Sequence, residues 1–84
     1  MSIRYMDHAR EQMCERRIRE EWVERVVAAP DWVQADHRPT RKRAFGAVPE
    51  AGGKILRVVY EMRDGEPLIV TAFFDRDALR KKPV

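Results

Sequence analysis

Apolar residues recur at helical spacing up to Pro30 and at every second position beyond it, and that one change of period constrains the fold more than any other feature. Before the break, Met6, Ala9, Met13 and Cys14 recur with charges between them, which predicts a first helix over residues 7–16 with Asp7 as its N-cap. Trp22, Val23, Val26 and Val27 form a second stripe, which predicts a helix over residues 19–29. Glu20 and Glu21 then lie in its first turn, where the helix dipole favours negative charge, and Pro30 ends it. After the break, β-formers alternate between turn signals and predict strands at Trp32–Asp36, Arg41–Val48, Lys54–Met62 and Pro67–Phe74. The joins are short enough for hairpins, so an antiparallel meander follows, and Tyr5 with its neighbours adds a short N-terminal edge strand. The chain reads as one α+β domain over residues 1–84, with two N-terminal helices packed on one face of a C-terminal antiparallel β-meander.

Strand alternation assigns the faces. Leu56, Val58, Tyr60 and Met62, with Leu68, Val70, Ala72 and Phe74, are expected under the helices. Ile55, Arg57, Val59 and Glu61, with Ile69, Thr71 and Phe73, are expected on the other face. That face is mixed in character and is a natural place for a groove. Its apolar members are otherwise covered by a partner or by the C-terminal tail.

A chain of 84 residues has room for one hydrophobic core, and a domain of this size buries a modest share of its surface. A partner protein or a second copy of the chain is therefore an expected source of added stability. Charged residues make up 37% of the chain, but the apolar 44% falls in periodic blocks, which argues against disorder. Cys14 is the only cysteine, so an internal disulfide is excluded, a reducing cytoplasm is the expected compartment, and its place on the apolar stripe predicts an inert core thiol. The opening residues lack the apolar segment of a signal peptide, and no stretch approaches the roughly 18 apolar residues of a membrane span.

The formal charge of +3 is unevenly placed. Between Arg10 and Arg25 arginines and glutamates balance, and the surplus lies in Arg38, Arg41, Lys42 and Arg43 and in a basic tail from about residue 76 that carries Arg80, Lys81 and Lys82. Clustered cations of this kind suit phosphate backbones, so the first cluster is the expected RNA-binding run. The alternative is a solvated hairpin and a frayed tail.

The segment from His8 to Ile18, reading His-Ala, then Arg, Met and Arg-Arg-Ile, resembles the opening of domain-of-unknown-function family 4258. The break Ala29-Pro30-Asp31 and the strands Leu56-Arg57-Val58-Val59-Tyr60 and Ile69-Val70-Thr71-Ala72-Phe73 extend that resemblance over nearly the whole chain. The resemblance implies the fold of the RelE/ParE toxin superfamily, many of whose members are endoribonucleases held inactive by an antitoxin. Three positions depart from the family pattern. Gln12 stands where arginine is common, Arg17 replaces the glycine that ends the first helix with positive φ, and Arg19 replaces the Ser or Thr N-cap of the second helix.

Metal-independent RNA cleavage needs a base for the 2′-hydroxyl, an acid for the leaving oxygen and cations on the phosphate. His8 is the candidate acid or base, and Arg16 and Arg57 are the candidate phosphate grips. Structural alternatives are a hydrogen-bonding role for His8 and a salt bridge for Arg16. Arg57 is the best functional candidate, since a cation among apolar neighbours in mid-strand is costly unless paired or used. Tyr60 and Glu61 are poorer candidates, and Trp22 and Trp32 read as core anchors. His8, His37 and Cys14 lack the spacing of a zinc site, and no metal or other cofactor is expected. The rival function is a non-catalytic interaction module that docks a partner on Ile55, Val59, Ile69 and Phe73.

Overall fold

In the computed structural model, which describes residues 2–83, the passage from helix to sheet falls at Pro30. The elements in chain order are β1 (Arg4–Tyr5), α1 (Asp7–Glu15), α2 (Glu20–Ala28), β2 (Trp32–Ala35), β3 (Arg41–Val48), a 3-10 turn (Pro49–Ala51), β4 (Lys54–Arg63), β5 (Glu66–Phe74) and α3 (Ala78–Lys81). The five strands form one sheet in the order β1-β5-β4-β3-β2. From β2 to β5 it is the predicted antiparallel meander, but β1 pairs parallel with β5, Arg4 beside Leu68 and Tyr5 beside Ile69, so the sheet is mixed.

The helix ends follow local chemistry. Met6, and not Asp7, is the N-cap of α1. The Met6 N–H donates to the Ile69 carbonyl at 3.0 Å, so the chain leaves the β1 pairing and enters the helix at that residue, with Asp7 left in the first turn near the positive end of the dipole. Arg17 holds a left-handed φ of 56°. The Ile18 N–H donates to the Met13 carbonyl at 2.8 Å and the Arg17 N–H to the Cys14 carbonyl at 3.2 Å, which together form a Schellman cap. Arg19 is the N-cap of α2 and supplies no side-chain acceptor. The β4–β5 hairpin turns on Asp64 (φ 53°) and Gly65 (φ 77°), both left-handed as a type I′ turn requires.

Ala9 and Met13 of α1 and Val23 and Val26 of α2 pack into one core with Ala44, Val48, Leu56, Val58, Ile69 and Ala72 of the sheet. Each fully buried leucine or isoleucine there contributes about 1.5–3 kcal/mol relative to an exposed one. Cys14 does not join this core: it is exposed, because it stands about 100° round the helix from the buried Met13. A register irregularity lies where Val59 pairs with Thr71 and Tyr60 with Ile69, so β5 carries Val70 as one extra residue. Alternation is reset there, and Ile69, expected on the second face, is fully buried against the helices. Met62, expected under the helices, is 54% exposed.

The second face is partly covered. Ala78 of α3 packs on Trp32, Phe45 and Ile55, and the Trp32 and Phe45 rings stack with centroids 4.8 Å apart. The tail up to Lys81 is therefore folded against the sheet.

Candidate functional site

Arg57 occupies the middle of β4, with Phe45 opposite it on β3 and Phe73 opposite it on β5. Its guanidinium carbon stands 5.0 Å from the centre of the Phe73 ring, and its Nη1 lies 3.6 Å from Asp75 Oδ2. The side chain is 15% exposed, and the buried Nε has no hydrogen-bond partner among the described residues. Arg16, just past the end of α1, donates from Nη1 to the Ala72 carbonyl at 2.9 Å and places its own guanidinium carbon 5.8 Å from the same Phe73 ring. Two arginines far apart in sequence thus converge on one aromatic side chain.

Asp75 is the anion nearest this pair. Burial pushes its carboxyl up, but the Lys81 ammonium at 2.7 Å, the Asp77 N–H and the Arg57 guanidinium together hold it below the ordinary aspartate value. The Asp75 N–H donates to the Ile55 carbonyl at 3.0 Å, which fixes the turn out of β5. Beside Arg16 and Phe73 opens a cavity of about 660 Å³, walled by the end of α1, the start of β4 and the β5–α3 junction.

His8 is not part of this cavity. It is exposed on the first turn of α1, and eight residues at 1.5 Å each place it roughly 12 Å along the axis from Arg16. Between them Gln12 accepts a hydrogen bond from the Thr71 hydroxyl at 2.6 Å, so the row His8, Gln12, Arg16 runs along the β5 side of α1.

The basic run divides by strand alternation. Arg43 donates to Asp36 at 2.7 Å and is 15% exposed, and Arg41 pairs with the buried Glu61 at 3.4 Å. The hydrogen bond from Arg43 is the main cause that lowers the Asp36 carboxyl from its ordinary value. Burial would raise Glu61, but Arg63 and Arg41 more than offset it and hold the group low. Arg38 and Lys42 are the exposed members of the run. In the tail, Lys81 is committed to Asp75, Lys82 lies 5.8 Å from the Trp32 ring, and Gln34 Nε2 donates to the Lys81 carbonyl.

Of the three residues the sequence offered as catalytic, Arg16 and Arg57 meet at Phe73 and His8 stands apart, while Lys54, Asp75, Arg76 and Leu79, which the sequence did not single out, line the cavity beside Arg16. Phe73 joins the site through strand register, since the extra residue in β5 sets it opposite Arg57. The others come together only through the β5–α3 turn.

Among the described residues no helix is long and apolar enough to cross a membrane. No curated protein and no solved structure matches the chain. The profile of one family, described as "Domain of unknown function (DUF4258)", matches residues 5–74, a span that holds α1 and α2, all of β2 to β5 and both converging arginines. The chain belongs to that family of unknown function, DUF4258.

Proposed function

We propose that this chain is a toxin-like RNA-binding domain of the RelE/ParE kind, and that it holds single-stranded RNA at Arg16, Arg57 and Phe73. The observation that carries this reading is the convergence of two guanidinium groups on one half-buried ring, with the Arg57 Nε left without a partner among the described residues. Guanidinium planes and aromatic rings stack on bases, and guanidinium groups grip phosphate through paired N–H donors. The exposed Arg38 and Lys42 steer the strand from the far side of the sheet. Control by an antitoxin-type protein partner belongs to the same reading.

Metal-independent cleavage requires a proton acceptor at the gripped phosphate, and His8 lies roughly 12 Å along α1 from Arg16. Binding is thus the activity this geometry supports better than cleavage. The rival interaction module loses much of its apolar surface, because Ile69 lies in the core and Ile55 lies under α3.

Arg16→Ala is the most direct probe, since Arg16 is exposed and its hydrogen bond goes to a single carbonyl. In fluorescence anisotropy it is expected to weaken binding of a single-stranded RNA by about tenfold, equivalent to ~1.4 kcal/mol, with an unchanged circular dichroism spectrum. Equal affinity in the folded variant would remove Arg16 from the site.

A further inference from the structure

The charge beside the Arg16 cavity is left differently from that of the strand arginines. Elsewhere on the sheet, arginines are matched with carboxylates: Arg41 and Arg63 with Glu61, Arg43 with Asp36, and Arg4 with Asp64 and Glu66. Arg16, Lys54 and Arg76 have no carboxylate partner among the described residues, and all three line this one cavity. They approach from three directions, the end of α1, the start of β4 and the residue after Asp75. Asp75 also lines the cavity, but its Oδ2 is engaged by Lys81 and Arg57 and its Oδ1 by the Asp77 N–H.

The lining between these cations is apolar. Ile55, Phe73 and Phe74 contribute to it, and Leu79, at 68% the most exposed of the large hydrophobic side chains, stands on the α3 side. A leucine this open, in a cavity lined also by two phenylalanines, offers apolar contact on the scale of one base. The volume of about 660 Å³ is that of a small-molecule site and not of a groove for a duplex.

Charge then selects the ligand. A bridging phosphodiester carries one negative charge, whereas a terminal phosphomonoester carries about −1.5 to −2 at pH 7. Three unpaired cations beside an already neutralised carboxylate match the second group better. We propose that the cavity takes a nucleotide bearing a terminal phosphomonoester, with its base on Phe73 and Leu79 and its phosphate among Arg16, Lys54 and Arg76. The nucleotide comes either from the end of an RNA strand or from free mononucleotide. This inference rests on the RNA-binding reading above and adds recognition of a strand end to it.

The test compares short single-stranded RNAs that differ only in a phosphate or a hydroxyl at one end, each labelled at the opposite end, with adenosine monophosphate and adenosine as competitors. A strand phosphorylated at the recognised end is expected to bind about tenfold more tightly than its hydroxyl counterpart, and the monophosphate, but not adenosine, displaces it. Lys54→Ala with Arg76→Ala, both on exposed side chains, brings the ratio between the two ends close to one. Monophosphate binding without any end preference in RNA identifies free nucleotide as the source. RNA binding with neither end preference nor displacement by the monophosphate overturns the inference and leaves the RNA reading standing. If no RNA binds, the RNA reading falls, and titration with the monophosphate alone, followed by amide chemical shifts of Phe73 and Leu79, decides whether the cavity holds a nucleotide.

Discussion

Arg17 sits in a left-handed backbone conformation that favours glycine, because the Schellman cap of α1 requires it. A non-glycine residue there costs about 1 kcal/mol or more in steric strain, part of which glycine returns as unfolded-state entropy. Arg17→Gly is therefore expected to stabilise the protein by about 0.5–1 kcal/mol, read as a rise in melting temperature of a few degrees. A lower melting temperature would mean that the Arg17 side chain makes contacts worth more than the strain. This position was legible in the sequence, since the resemblance places a glycine there. Arg57 was legible for a different reason, as a cation in an apolar strand. Phe73 was not, because its meaning depends on cross-strand register: only opposite Arg57, and within reach of Arg16, does it become the centre of a site.

At the scale of elements, the change of period at Pro30 was enough to predict α1, α2 and the four strands of the meander to within about two residues, because each carries a full stripe of its own period. Two features carried no such signal. The extra residue in β5 leaves the composition of the strand unchanged and alters only which side chains face the helices, so Ile69 was assigned to the wrong face. Helix α3 is four residues long, too short for a periodic signal, and is held by Lys81, Ala78 and the Gln34 contact.

Two predictions belong to this scale. Gly46 of β3 lies against α2, and a Cβ there would stand 3.0 Å from one Val26 methyl and 3.4 Å from the other. Gly46→Ala is expected to destabilise by roughly 1–3 kcal/mol in urea titration, and a neutral result would show that α2 shifts freely. The second concerns acid. The Asp75 carboxyl lies below its ordinary value in the folded state, so its contribution to stability is present above the unfolded value of about 3.9 and is lost as pH falls through the lower folded value. Asp75→Asn should lose less stability than the parent between pH 5 and the acid limb, and should free α3, seen as increased quenching of Trp32 by acrylamide. An identical acid loss in both proteins would assign that loss to the other lowered carboxyls, Asp36, Glu50 and Glu61.

At the scale of the whole molecule, the charge surplus becomes local. Carboxylates pair with Arg41 and Arg43, while among the described residues the cations at the cavity and the exposed Arg38 and Lys42 have no carboxylate partner. The account turns on whether Arg16 meets a phosphate, and the salt dependence of single-stranded RNA binding reads that contact directly. Each phosphate contact on a single strand contributes a slope of roughly −0.7 in log affinity against log salt, because binding releases condensed counterions. Arg16→Ala is predicted to make the slope shallower by about 0.7 while the fold is unchanged by circular dichroism. A folded variant whose affinity falls but whose slope equals that of the parent would contradict the account, since Arg16 would then act by shaping the protein and not by holding the RNA backbone.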